Sequence, residues 1–324
     1  MSGPSLEERV ADLVKKKASK DYHPFEKRLT FTISQNVHDV PDTVMSLIVE
    51  SKPDGEIILF DIKKTSFASW TKRTIVSEFQ KGFNWKHKMG PVRNQGEHET
   101  CWAIVASELI SALRFIRKDD GAYTEYSSQF LVDYACPEKA RIEKDDGHYC
   151  YPHTIMKALR FVQTSGLPLE SHWTYKGCRK APPPIYTPPP AGDPRVYIAS
   201  AKSLKTMDIA LQQLQFNPIG AALYIFDPEY YIIGGDIYRG PIYKESKYRG
   251  MHAVSIIGVT DEKGEAIAHV KSTHGEEVGN RGYFRVSLDV VLIEVPPQGT
   301  EAHKDYLKPR HLLSRFCTLE LPPR

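Results

Sequence analysis

Apolar residues change their spacing along the chain, and each change marks a boundary. Leu6, Val10, Leu13 and Val14 fall on one helical face, followed by a charged stretch from Lys15 to Asp21. Strand-like runs come next at Leu29–Ser34, Thr43–Glu50 and Glu56–Ile62, the last two separated by the turn signal Pro53-Asp54-Gly55. This predicts a small β-containing region distinct from the rest of the chain. From Cys101 the period becomes helical, through Trp102, Val105, Leu109, Ala112, Leu113 and Ile116. Ser127 is placed to cap a second helix running to Tyr134, and Ile155–Val162 forms a third, stopped by Gly166. A proline-rich strip over 182–190 favours an extended crossing between two lobes. Beyond it the chain reads mainly as strand, at Pro218–Ile225, Ala253–Thr260, Ala266–Thr273 and Gly282–Ser287, with one helix at Leu204–Leu214. A helical lobe followed by a β-rich lobe is an α+β arrangement with a natural cleft between them.

Composition narrows the function classes. The 324 residues are 41% hydrophobic and 26% charged, enough to bury a sizeable core. A net charge of +3, from 43 basic and 40 acidic side chains, gives no field that would select nucleic acid or an anionic membrane. The longest apolar run, Ile219–Phe226, falls far short of the roughly 20 residues of a membrane span. The first residues, Met1 to Arg9, lack the pattern of a secretory leader, so a cytoplasmic or nuclear protein is expected. Five cysteines, an odd number, leave at least one thiol without a disulfide partner.

Cys101 opens a predicted helix after the loop Asn94 to Thr100, where the positive end of the helix dipole favours thiolate over thiol. It reads equally as a small buried hydrophobe or as a nucleophile. The surrounding string, Gly90-Pro-Val-Arg-Asn-Gln-Gly-Glu-His-Glu-Thr-Cys-Trp-Ala103, resembles the nucleophile segment of papain-like cysteine proteases, with Gln95 six positions before Cys101. Gly250-Met-His-Ala-Val254 resembles the histidine segment of that family, about 150 residues beyond the cysteine. Lys271-Ser-Thr-His-Gly275, Gly279 to Arg285, Glu125 to Gln129 and Tyr151-Pro152 resemble further family segments.

The resemblance implies a papain-like two-lobe domain over 82–295, with a helical lobe at about 90–180 and a β-rich lobe at about 195–290. Residues 1–81 are then a separate region without a recognisable inhibitory proregion, and 296–324 a tail. It also implies a peptidase acting on a peptide or protein substrate without a cofactor. Cys101 is the nucleophile, His252 the base and then acid, Gln95 an oxyanion donor, and Ser272 the partner that orients His252. Tyr151, Pro152, Ala222, Met251 and Ala253 are the implied substrate pocket.

Several residues depart from the family pattern. Ser272 stands where the family has an asparagine, and His274 where it has a shielding tryptophan. Glu99, Tyr149 and Cys150 fill positions that are glycine in the family, which obstructs the path of an extended substrate. A catalytically impaired homologue acting as a binding or scaffold protein is therefore the competing expectation. His98, Cys101, His148, Cys150 and His153 form two short clusters of potential ligands, but their spacing matches no recognised Cys/His finger, and no metal is expected.

Overall fold

The computed structural model describes residues 84–144, 147–186, 194–241, 246–262, 264–295 and 310–324, together with the backbone of two earlier strands, 45–50 and 57–64. Among these residues there are eleven strands: β1 Met45–Glu50, β2 Ile57–Lys64, β3 Ser200–Ser203, β4 Ile219–Asp227, β5 Ile237–Tyr238, β6 Lys247–Glu262, β7 Glu265–Lys271, β8 Tyr283–Ser287, β9 Val290–Val295, β10 Arg310–His311 and β11 Leu313–Glu320. The predicted helix at Leu6–Val14, the strand at Leu29–Ser34 and the strip residues 187–190 lie outside the described residues. No described helix is long and apolar enough to cross a membrane.

The helical lobe is built around Cys101–Ile116, whose residues from Trp102 to Ala112 are all buried. A helix buried on every side has to be surrounded, and it packs against Ser128–Tyr134 and Ile155–Ser165. The expected caps are present. Ser127 Oγ accepts from the Phe130 N–H at 3.0 Å, Thr154 caps the third helix, and Gly166 ends it at φ +67°. The second lobe is a seven-stranded sheet in the order β3-β11-β4-β6-β7-β8-β5, with Met207–Leu214 packed on it. Register sets the chemistry here, because β6 pairs with β4 so that His252 lies opposite Leu223 and Ala253 opposite Ala222.

Two boundaries drawn from the sequence are corrected. β1 and β2 are not a separate unit, since β2 pairs with β9 from Leu59↔Val295 to Lys64↔Val290 in a four-stranded sheet, β1-β2-β9-β10. The apolar run of β9 presents an edge that needs a partner, and β2 supplies it. Nor is 296–324 only a tail, for β11 inserts between β3 and β4 in the main sheet. Its apolar residues divide between two cores: Leu313 and Phe316 join the sheet-lobe core, while Cys317 and Leu319 join the helical one.

Gly220 lies where the helices and the two strands converge. A Cβ there would sit 3.0 Å from both Cys317 Sγ and Ile155 Cδ1, and 3.1 Å from Leu109 Cδ1. We expect Gly220→Ala to cost about 1–3 kcal/mol through overpacking, measured as a lower midpoint in urea unfolding; an unchanged midpoint would show that the junction yields freely.

Candidate active site

Cys101 is the first residue of its helix, and Thr100 before it makes no side-chain cap. The Thr100 hydroxyl instead meets Tyr175 Oη at 2.7 Å. The backbone N–H groups of Ala253, Trp102 and Cys101 favour the thiolate of Cys101. The Ala253 contact crosses the cleft and brings the thiol against the residue after His252. Burial nevertheless dominates, pushing the Cys101 thiol up to about 11, with the Glu99 carboxylate adding to the rise. The expected depression by the helix dipole is thus corrected: dense protein around the sulfur outweighs the dipole and the three N–H groups.

His252 is 3% exposed. Its ring stacks on His274, with centroids 4.2 Å apart and planes at 17°. Burial, and then the neighbouring imidazole, hold His252 well below the ordinary histidine value. Burial likewise brings His274 down to about 4. Both rings are therefore neutral at physiological pH. His252 Nε2 is 3.4 Å from Ser272 Oγ, Ser272 Oγ is 2.6 Å from Tyr230 Oη, and Tyr230 Oη is 2.9 Å from His274 Nδ1.

The His274 backbone N–H also donates to Ser272 Oγ at 3.2 Å. With one hydroxyl hydrogen and two lone pairs available on the serine, donation along the chain in either direction satisfies every contact. In the direction that runs from His252 Nε2–H to Ser272, from Ser272 to Tyr230 and from Tyr230 to His274 Nδ1, the His252 Nδ1 lone pair is left unprotonated, the form a general base needs. Burial raises Tyr230 above the ordinary phenol range, so it remains a donor. Ser272 thus lies beside His252 and is itself supported by Tyr230. No sequence spacing singled out Tyr230, in the short helix Glu229–Ile232; its one signal is an aromatic residue soon after an apolar strand.

Gln95 lies beside the nucleophile, fixed by Thr273 Oγ1 donating to its Oε1 at 2.6 Å and by its own backbone N–H donating to Thr273 O at 2.7 Å. One hydrogen of its amide is committed to His98 O, leaving the other for an oxyanion. Cys101, Gln95, His252, Pro152 and Met251 all line one cleft of about 860 Å³. Of the other implied pocket residues, Tyr151 is 1% exposed, with its ring 5.4 Å from Trp102, and Ala222 and Ala253 are a paired row of the sheet behind the cleft.

The potential metal ligands fall differently from their sequence grouping. His153 packs edge-on against Trp102 at 5.0 Å, and Cys101 faces the cleft. His98, His148 and Cys150 instead converge with Cys178, their ligand atoms all within 4.8 Å of one another. This grouping brings in Cys178 and leaves out Cys101 and His153. All five cysteines are free of disulfides.

A thiol at the start of a buried helix in one lobe faces, across one cleft, a histidine on a strand of the other. Residues 79–295, more than half of the chain, match the papain family cysteine proteases, and the chain belongs to that family. It is 29% identical to Protein HEAT-INDUCED TAS1 TARGET 4 of Arabidopsis thaliana over 252 residues, covering 68% of this chain and 86% of that protein. It is 25% identical to papain of Carica papaya, covering 63% of this chain and 53% of papain. Among solved structures, the Carica candamarcensis cysteine protease CMS1MS2 in complex with E-64 superposes with a TM-score of 0.51 at 18% identity, covering 74% of this chain and 98% of that one. The superposition establishes the two-lobe α+β fold.

The raised thiol and the buried ion pair behind it can each be tested. The thiolate is the species that alkylates, so with the Cys101 pKa raised to about 11 its iodoacetamide labelling should climb with pH toward that value. A plateau already in the acid range, read by mass spectrometry, would reveal a preformed thiolate–imidazolium pair instead. Behind the site, Lys271 and Glu108 form an ion pair with side chains 0% and 4% exposed. Lys271→Met should cost about 3–5 kcal/mol by stranding the carboxylate, and Lys271→Met with Glu108→Leu much less, both measured by denaturant unfolding.

Proposed function

We propose that this protein is a cysteine-type peptidase that cleaves peptide bonds through an acyl-enzyme on Cys101. The observation that carries this reading is that Cys101, His252 and Gln95 line one cleft, with His252 Nε2 3.4 Å from Ser272 Oγ. The Cys101 sulfur forms a bond to the substrate carbonyl carbon while its proton passes to His252. The oxygen that becomes negative is met by the Cys101 N–H and the remaining Gln95 amide hydrogen. The C–N bond then breaks and His252 returns the proton to the leaving amine. Water, deprotonated by His252, hydrolyses the thioester and frees the thiol. Because thiol and imidazole both rest neutral, proton transfer accompanies attack rather than preceding it.

The cleft favours a basic peptide. Glu97, Glu99, Glu277 and Asp227 line it, against the single guanidinium of Arg249, which is itself 2.7 Å from Asp227. Opposite charge at such a rim steers encounter and selects among substrates.

A second reading, a peptide-binding homologue without turnover, draws support from the Gln95 amide turned to His98 O and from the raised Cys101 thiol. The two readings separate when the chain is treated with a substrate-like, thiol-directed epoxide and assayed on peptides over about pH 5–8, around the histidine range. Peptidase action predicts labelling and cleavage that both vanish in Cys101→Ala. It also predicts a kcat loss of about 10- to 10⁴-fold in Tyr230→Phe, with KM little changed, as when a base loses its orienting group. Binding of basic peptides without Cys101-dependent label or cleavage would establish the second reading.

A further inference from the structure

Three irregular segments of the helical lobe meet beside the nucleophile: the loop before Cys101, the turn before Tyr151, and the segment after Tyr175. Each brings sulfur or imidazole to the same point. His98 comes from the first, His148 and Cys150 from the second, and Cys178 from the third, with their ligand atoms within 4.8 Å of one another. Cys150 Sγ is 3.9 Å from His98 Nδ1. In a tetrahedral zinc site, ligand atoms bound at about 2.0–2.3 Å lie roughly 3.3–3.8 Å apart, so a contraction of about 1 Å closes the set.

The surroundings are those of a ligand cluster. Cys178 Sγ accepts from the backbone N–H of Cys150 at 3.0 Å and of Tyr149 at 3.2 Å. Paired N–H donors of this kind stabilise a bound thiolate and fix its direction. Gly177, at φ +71°, lets the chain pass close to the His98 ring, where a Cβ would come within 3.3 Å of Cδ2. The chemistry of the donor set selects the ion. Two thiolates and two neutral imidazoles suit zinc, whereas calcium and magnesium require oxygen ligands. Two thiolates also cancel the charge of a divalent ion, so the half-buried site carries no net charge to desolvate.

We propose that His98, His148, Cys150 and Cys178 form a structural zinc site that clasps the three segments together. Both thiols release their protons to solvent as the sulfurs bind the ion. The site reaches the chemistry through one residue: His98 O accepts from the Thr100 N–H at 2.9 Å and from the Gln95 amide. Fixing His98 therefore fixes the loop that presents both Gln95 and Cys101.

The test is elemental analysis of the full chain, purified under reducing conditions after growth with added zinc, followed by exchange into cobalt(II). We expect about one zinc per chain, retained through dialysis, in both the wild type and Cys101→Ala. The cobalt form should give the intense visible absorption of a tetrahedral ion together with thiolate-to-cobalt charge transfer. Cys150→Ser with Cys178→Ser should lose the metal. His148→Cys, which exchanges one zinc ligand for another, should keep it, so that metal loss is distinguished from simple misfolding. A wild-type chain without zinc would overturn the proposal, as would a Cys150–Cys178 disulfide found by mass spectrometry. Zinc that departs with Cys101→Ala would overturn it too, by placing the ion in the catalytic cleft.

Discussion

Lys271, at the end of β7, reaches through the interior to Glu108 on the nucleophile helix, and its ammonium also donates to Pro91 O at 2.8 Å. Neither side chain has room to find water, so removing either partner strands the other charge in protein, a cost of several kcal/mol. The residues after Lys271 are positioned by the same constraint. Ser272 turns to His252, Thr273 to Gln95, and His274 to the face of the His252 ring. One buried ion pair thus anchors the segment that carries Ser272, Thr273 and His274 to their partners.

That rigidity keeps the site neutral. A helix dipole is worth about 0.3–2 kcal/mol to a charge at its end, and here it opposes the desolvation of a half-buried thiol in the cleft between two lobes. Desolvation prevails at Cys101, and at His252 it is reinforced by a second imidazole 4.2 Å away that resists sharing a positive charge. The chain Ser272–Tyr230–His274 supplies direction instead of charge. It holds one ring nitrogen of His252 through hydroxyls and an imidazole that stay uncharged themselves.

Local signals in the sequence reach far into the helical lobe. Ser127, Gly166 and the helical spacing of apolar residues from Trp102 say where its helices begin, end and bury, because capping, φ preference and burial act within a few residues. The Cys101 and His252 segments are legible because their spacing is itself a geometric requirement. Properties set by distant packing are not. Tyr230 matters only because β4 delivers it beside Ser272, and Cys178 joins His98 only through three loops. The thiol departs from its expected behaviour because a dipole can be read from a helix start, whereas desolvation depends on the opposite lobe. β1 and β2 are visible as strands, but their pairing with β9 lies more than two hundred residues away, beyond any local pattern.

β11 changes allegiance partway along its length. Its register on β4 shifts between Ser314 and Cys317, with Arg315 at φ +53°, and the strand leaves one core for the other across that bulge. A single strand is thus shared by both cores, so the helical lobe and the sheet lobe are coupled through one continuous backbone and not only through the side chains that meet at the cleft.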